Sequence, residues 1–324
     1  MLALTLVLVP LWSTHAAAQA KTLKLAHVGT LDGAIGRGAS RFANELRAVS
    51  AGAMDVQIIP LAALGGIREN WAQLQAGSLD MQVIDLSAIS LLKEAAHAQV
   101  SLLPFIFADQ THFRNFAESR LLAELLDPVR QATHIRYLGI VEDRSPRVIS
   151  TTTTPVTTVA DLKGVKIRVP PHPMFIEVFR LWGASPTPLP ASEMFMALKS
   201  GMVDGEDNGV INLVAGSNIK VIRHFTPINW NRSGVAAWIS EHTWKTLTGE
   251  QRQWIMDAST RSAESSRLDY DQAMETAMRE LTESGITLHE PDLTSFAKAA
   301  ATMEKAYEGT VWPAGLAASV RALR

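Results

Sequence analysis

The chain has 324 residues, 47% of them apolar, and a net charge of −2 with both signs dispersed along its length. That is enough apolar material for a sizeable core and enough chain for two domains, while the balanced charge offers no basic field to nucleic acid or an anionic membrane. Cysteine is absent from the sequence, which excludes disulfides, thiolate zinc sites and cysteine nucleophiles.

The first segment has the form of a secretion signal. Leu2 to Trp12 is a short apolar stretch, followed by small residues and the triplet Ala18-Gln19-Ala20 ahead of Lys21. An apolar run closed by A-x-A reads as a cleavable signal, with cleavage expected near Ala20, although no Lys or Arg precedes the run. A membrane anchor needs about 18 or more apolar residues, and this stretch is shorter. No later segment approaches a transmembrane span, so the mature protein is expected to be soluble and exported.

From there strands and helices alternate. Thr22 to Val28 alternates as a strand, and Ile35, Ala39, Phe42, Leu46 and Val49 mark one face of a helix ending at Gly52. Met54 to Ile59 predicts a second strand, Ile67, Trp71 and Leu74 a helix stopped by Gly77, and Met81 to Ile84 a third strand. This succession is the pattern of a parallel sheet covered by helices on both faces. It returns with strands at Ile135 to Val141, Arg147 to Ser150 and Val165 to Val169, and helices at 173–182 and 193–199 ended by Gly183 and Gly201. Two α/β blocks joined near residue 145 follow, with Thr151 to Thr158 as a loop.

Thr248-Gly-Glu-Gln251 resembles a capping box, and no Pro or Gly interrupts the chain from Glu250 to Ser284. As one helix this run extends roughly 50 Å, longer than an α/β domain of about 30–35 Å is wide, so it should bridge both domains and favour a hinge. The alternative is two helices broken near Ser262 to Ser266.

Catalytic signatures are missing: the sequence has no G-x-S-x-G elbow, no H-E-x-x-H and no Walker A loop. Gly33, Gly36 and Gly38 do not follow the dinucleotide spacing and read as turn and helix-start residues. Asp204-Gly-Glu-Asp207-Asn208 has the residue types of a metal site but no nearby His, and neither metal nor cofactor is expected. The informative segment is Asp161-Leu-Lys-Gly-Val-Lys-Ile-Arg-Val-Pro170, where Val165, Ile167 and Val169 alternate onto one face. Arg168 lies at the carboxyl end of that strand, where open α/β sheets bind ligands, and its planar fork matches a carboxylate. A structural salt bridge is the competing role for an isolated Arg.

That segment, followed by Gly183-Ala-Ser-Pro-Thr-Pro188, Ser192-Glu193, Ala197-Leu198 and Val203-Asp-Gly-Glu-Asp-Asn208, closely resembles the solute receptors of TRAP (tripartite ATP-independent periplasmic) transporters. Ala63-Leu64-Gly65, Gly77-Ser-Leu-Asp80, Leu103-Pro-Phe105 and the Trp244-Lys-Thr-Leu-Thr-Gly-Glu-Gln-Arg-Gln run agree, so the resemblance covers nearly all of the mature chain. It implies an α/β, two-lobed periplasmic-binding-protein fold of type II-like form, with a ligand cleft between the lobes and a long bridging helix. Residues 21–144 plus about 234–273 would form lobe I, and 145–233 plus about 274–324 lobe II. The implied function is a monomeric periplasmic receptor, not an enzyme. It would close on a small organic acid anion, such as a C4-dicarboxylate or sugar acid, and deliver it to membrane-embedded TRAP permease subunits. An exported hydrolase-like enzyme or a ligand sensor is the alternative.

By the same resemblance Arg168 pairs with the ligand carboxylate and Asn208 hydrogen-bonds it. A second arginine is Arg147, with Arg144 as rival because the spacing runs one residue long. Asp85 takes the place of an acidic pocket residue, and His27 ends the first strand as a further contact or as a satisfied His. Ala191 stands where many members carry an aromatic. Either the ligand is bulkier there, or Trp230 fills the space instead of packing in the core.

Overall fold

The structure is a computed structural model and describes residues 20–324; the expected signal lies outside the described residues up to its last position. The chain begins with β1 (Lys21–Ala26), α1 (Ala34–Val49), β2 (Met54–Ile59), α2 (Ile67–Ala76) and β3 (Met81–Asp85), the order anticipated from periodicity. β1 pairs in parallel with β2 and with β3. Leu23 and Leu25 of β1 alternate inward and pack on Phe42 and Leu46 of α1, which is how a period-2 and a period-3.6 pattern share one core. α2 stops at Gly77, whose φ of 74° is the left-handed conformation that favours glycine.

Residues 86–133 carried no expectation. They form two 3-10 stretches, Leu86–Leu91 and Lys93–Leu102, then α3 (Gln110–Ala117) and α4 (Arg120–Thr133). Asp109 and Ser119 cap these two helices by accepting from the backbone N–H of His112 and Leu122. β4 (Ile135–Asp143) follows, and β5 (Arg147–Thr151) opens the second lobe. That lobe continues with β6 (Lys166–Val169), α5 (Pro173–Leu181), β7 (Ser185–Pro188), α6 (Met194–Lys199), β8 (Gly205–Gly209), α7 (Val210–Ala215) and β9 (His224–Thr226). β10 (Gly234–Ser240), α8 (Glu241–Thr246), α9 (Gly249–Glu283), β11 (Thr287–Leu288), α10 (Leu293–Tyr307) and α11 (Leu316–Arg321) complete the chain.

The strands form two sheets, ordered β2-β1-β3-β10-β4 and β11-β9-β5-β8-β6-β7. Both are mixed, not purely parallel as the alternation suggested. β10 runs antiparallel to β3 and β4, and β5 antiparallel to β8 and β9. The cause is a double crossing: the chain leaves the first sheet after β4, builds most of the second, and returns as β10 into the middle of the first. A strand arriving from the other lobe is not bound by the crossover connection that keeps βαβ strands parallel.

α9 is one unbroken helix of 35 residues, about 50 Å long. Its Ile255 and Ala258 sit in the core of the first lobe, while Ala277 and Leu281 sit in that of the second. The serines at the suggested break, Ser262 and Ser266, are absorbed instead, as is Ser259 just before them. Ser259 donates to the carbonyl of Leu138, Ser262 to that of Ala258, and Ser266 Oγ accepts from the N–H of Asp143. Small residues here let the helix lie directly on β4, where Gly139 has φ 132° and a Cβ would meet Ser259 Oγ at 2.7 Å.

The C-terminal segment corrects one expected boundary. α10 stays with the second lobe, where the indole N–H of Trp182 donates to the Phe296 carbonyl. The last residues return to the first: the carbonyls of Val320 and Leu323 bond His112 and Asn115 of α3. Placing all of 274–324 in the second lobe therefore does not hold for the last residues, which bond to α3.

Candidate ligand-binding site

One rim of each sheet carries the polar residues of interest. In the first lobe the carboxyl ends of β3 and β4 bring Asp85 and Arg144 together. In the second, antiparallel pairing sets Arg147, at the start of β5, opposite Gly209 at the end of β8. Parallel pairing sets Arg168 opposite Glu206, so these two side chains share a face with Asn208, two residues on. Arg147 and Asp207 lie on the opposite face, because side chains alternate along a strand.

Arg147 is committed to the protein. Its Nε contacts both carboxylate oxygens of Asp207 at 3.0 and 2.9 Å, its Nη2 donates to the Asp207 carbonyl at 2.7 Å, and its guanidinium lies over the Phe175 ring. Trp230 donates its indole N–H to the same carboxylate at 3.0 Å and packs edge-on against Phe175, Phe179 and Trp182. Its ring is therefore occupied within the core of the second lobe. The expectation that Trp230 fills the space left at Ala191 gives way to a supporting position behind Arg147.

Arg144 and Asp85 also satisfy one another. The Asp85 carboxylate accepts from Arg144 Nη1 at 2.7 Å, Ser233 Oγ at 3.0 Å, and the Ser87 Oγ and N–H at 2.8 and 3.2 Å. Burial alone pushes this carboxyl up, but Arg144, Ser87 and Arg147 outweigh it and the net direction is down. Asp85 thus anchors Arg144, with its acceptor sites largely taken.

Arg168 is different. It is 4% exposed, yet its bonds go to a neutral group, the carbonyl of Leu189, from Nε at 2.9 Å and Nη2 at 2.7 Å. Among the described residues no carboxylate lies within ion-pair distance of it. Burial, with Arg147 nearby, pulls its pKa down to about 10, and it remains a cation at neutral pH. Asn208, 9% exposed, accepts at Oδ1 from the Gly209 N–H and from Asn212, and its amide nitrogen has only a long 3.5 Å contact with Glu206.

Glu206, fully buried, accepts from Asn218 at 3.2 Å, and burial pushes its pKa up to about 7 despite Arg168. A carboxyl raised from 4.5 to about 7 holds its proton in the folded chain where the unfolded chain has lost it. Stability therefore falls as pH rises through that window. Glu206→Gln should match the natural chain near pH 4.5 and exceed it by about 1–3 kcal/mol at pH 8, measured by urea unfolding across that range. Equal unfolding midpoints at pH 8 would contradict this.

His27 follows β1 with both ring nitrogens buried; the Gly29 backbone lies beside the ring but short of good hydrogen-bond geometry, and burial holds its pKa below the usual value. Asp204, Glu206 and Asp207 diverge: Asp204 accepts from the Lys166 N–H at 2.9 Å, and the other two face opposite sides of β8. Sequence reasoning missed the partners of these groups, Asp207 and Glu206 above all, although strand alternation would have put them on opposite faces. It also missed His172. This residue caps α5 through Nδ1, which accepts from the Met174 N–H, so Nε2 carries the proton it donates to Ser90 Oγ at 2.9 Å in the other lobe.

Relatives share this architecture. The chain is 28% identical over 288 residues to a solute-binding protein of Roseobacter denitrificans, covering 89% of this chain and 87% of that one. It is 25% identical over 312 residues, 95% of each, to a sialic acid-binding periplasmic protein of Vibrio cholerae. A TRAP periplasmic solute-binding protein of Bordetella bronchispeptica, whose crystal density was interpreted as pantoate, superposes with a TM-score of 0.85 at 26% identity, covering 94% of this chain and 99% of that one. Residues 25–310 match the family described as bacterial extracellular solute-binding protein, family 7. With the two lobes, the bridging helix and this match over most of its length, the chain belongs to the family 7 bacterial extracellular solute-binding proteins, the receptors of TRAP transport.

Proposed function

We propose that this chain captures a small organic acid in the cleft, with the ligand carboxylate on Arg168, and delivers it to a membrane-embedded TRAP permease. The observation that carries the reading is the buried Arg168 guanidinium bonded only to a carbonyl. A buried cation is costly unless paired, and of the three arginines here two have carboxylate partners of their own. A bidentate carboxylate supplies what Arg168 lacks.

Asn208 would donate its amide N–H to the same carboxylate, and Arg147, held by Asp207, would lend its remaining donors beside it. His27 would meet a ligand hydroxyl or carbonyl with one of its ring nitrogens. Asp85 acts through Arg144 and Trp230 through Asp207. The relatives support an acid: sialic acid and pantoate each bear a carboxylate. The receptor would work as a monomer in the periplasm, after export and removal of residues 1–20.

The test is a thermal-shift screen of residues 21–324 against sugar acids, hydroxy acids, dicarboxylates and their neutral analogues. A ligand at about 100 times its Kd adds roughly 2.7 kcal/mol, a shift of several degrees. Stabilisation by acids and not by their amides or esters is expected. Silence among the acids, or a preference for the neutral analogues, would overturn the reading.

A further inference from the structure

α1 begins without a capping side chain of its own: Gly33 occupies the capping position and has no side chain to accept from the first N–H groups. The acceptor comes from the other lobe. Asn212 of α7 presents Oδ1 to the N–H of Ala34 at 3.0 Å. Its Nδ2 donates in turn to Asn208 Oδ1 at 3.1 Å, which also accepts from the Gly209 N–H at 3.0 Å.

The orientation of both amides follows from these bonds. A backbone N–H is always a donor, so Ala34 requires an oxygen on Asn212 and Gly209 requires an oxygen on Asn208. With both ends of the relay set by main-chain donors, neither amide can turn over without losing a bond. The Asn208 nitrogen is thereby left facing Glu206, on the sheet face that Arg168 also occupies.

We propose that Asn212 is a positioning residue with two linked tasks: it holds the Asn208 amide with its nitrogen outward, and it latches α1 of the opposite lobe. Resting on the reading that Asn208 meets the ligand, this makes contact between the lobes and the readiness of the site one event. An open form would release Ala34 and with it one of the restraints on the Asn208 amide, so carboxylate recognition would be complete only when the lobes meet. The bond is short-range, running from the first turn of α7 back to the end of β8, Asn208 and Asn212 being four residues apart, so the relay needs no rearrangement of the second lobe.

The experiment needs no ligand, which separates its failure from failure of the acid-receptor reading. The chain has no natural cysteine, so spin labels can be placed on cysteines introduced at Gln57 in β2 and Met202 after α6, both exposed. Pulsed dipolar spectroscopy on residues 21–324 then reports the interlobe distance. Asn212→Ala is expected to raise the open-to-closed ratio about five-fold, the effect of losing one helix cap. Asn208→Ala should raise it in the natural background and add nothing to Asn212→Ala, because both act through one relay. Asn212→Asp cannot donate to Asn208, but its charged oxygen accepts more strongly from Ala34 at the start of α1 and offsets that loss; it should keep the lobes together, and guards against a variant that merely misfolds. An Asn212→Ala distribution identical to that of the natural chain, or additive effects of the two alanines, would overturn the proposal.

Discussion

Asp207→Ala is expected to destabilise the protein by about 3–5 kcal/mol, because it leaves the Arg147 cation buried without its partner. The Asp207 side chain is fully buried and that of Arg147 is 4% exposed, so water cannot replace the lost carboxylate. The same substitution orphans the Trp230 indole N–H, adding the cost of an unmet donor. For a chain of this size the thermal midpoint should drop by on the order of 10 °C. Asp207→Asn separates the contributions, since its amide oxygen still accepts from Trp230 while the charge is gone. The double variant Arg147→Met with Asp207→Ala should recover part of the loss, because no charge is then stranded. Urea unfolding of the natural chain, Asp207→Ala, Arg147→Met and the double variant closes the cycle. A single variant no less stable than the natural chain would show that Arg147 finds another partner.

The second large effect falls on binding and has the opposite sign for stability. Arg168→Gln should weaken the acid found in the screen by about 2–5 kcal/mol, or roughly thirty- to several-thousand-fold. The ligand-free variant should be at least as stable as the natural chain, because it removes a buried cation bonded only to the Leu189 carbonyl. Loss of function with retained or raised stability is what distinguishes a charge kept for a ligand from one kept for the fold. Calorimetric titration and thermal unfolding measure the two quantities on one preparation. Unchanged affinity would dismiss Arg168 as the anchor, and a large loss of stability would return it to a structural ion pair.

The contrast between these arginines explains the rivalry left open between Arg144 and Arg147. Each has its own carboxylate, Asp85 and Asp207, and each is neutralised before any ligand arrives. Arg168 alone of the three leans on Glu206 for compensation. Burial pushes that carboxyl's pKa up to about 7, so the net charge on this face depends on pH. The residue types along β8 carry this division: Glu206 and Asn208 alternate with Asp207, and the sheet sends them to opposite sides.

Local pattern was enough to foresee β1 to β3 with α1 and α2, β4 to β6 with α5 and α6, the long helix from its capping box, and the place of Arg168 at a strand end. Each of these depends on neighbours within a few residues: period, cap and terminating glycine act over one or two turns. The motif order from Asp161 to Asn208 likewise marked the family and its two lobes. The pairing of Arg147 with Asp207, 60 positions on, was not legible, nor was Arg144 with Asp85, 59 positions back. Such partners are chosen by strand register and face, which sequence spacing does not encode. The antiparallel insertion of β10, the return of α11 to α3 and the cap that Asn212 provides across the cleft share that character. They are bonds between segments that meet only because the chain crosses repeatedly between the lobes and α9 holds both in place. In this protein neighbouring residues specify the elements and the likeness of the motifs, whereas the charge state and orientation of the site arise from contacts between parts of the chain that are far apart until it folds.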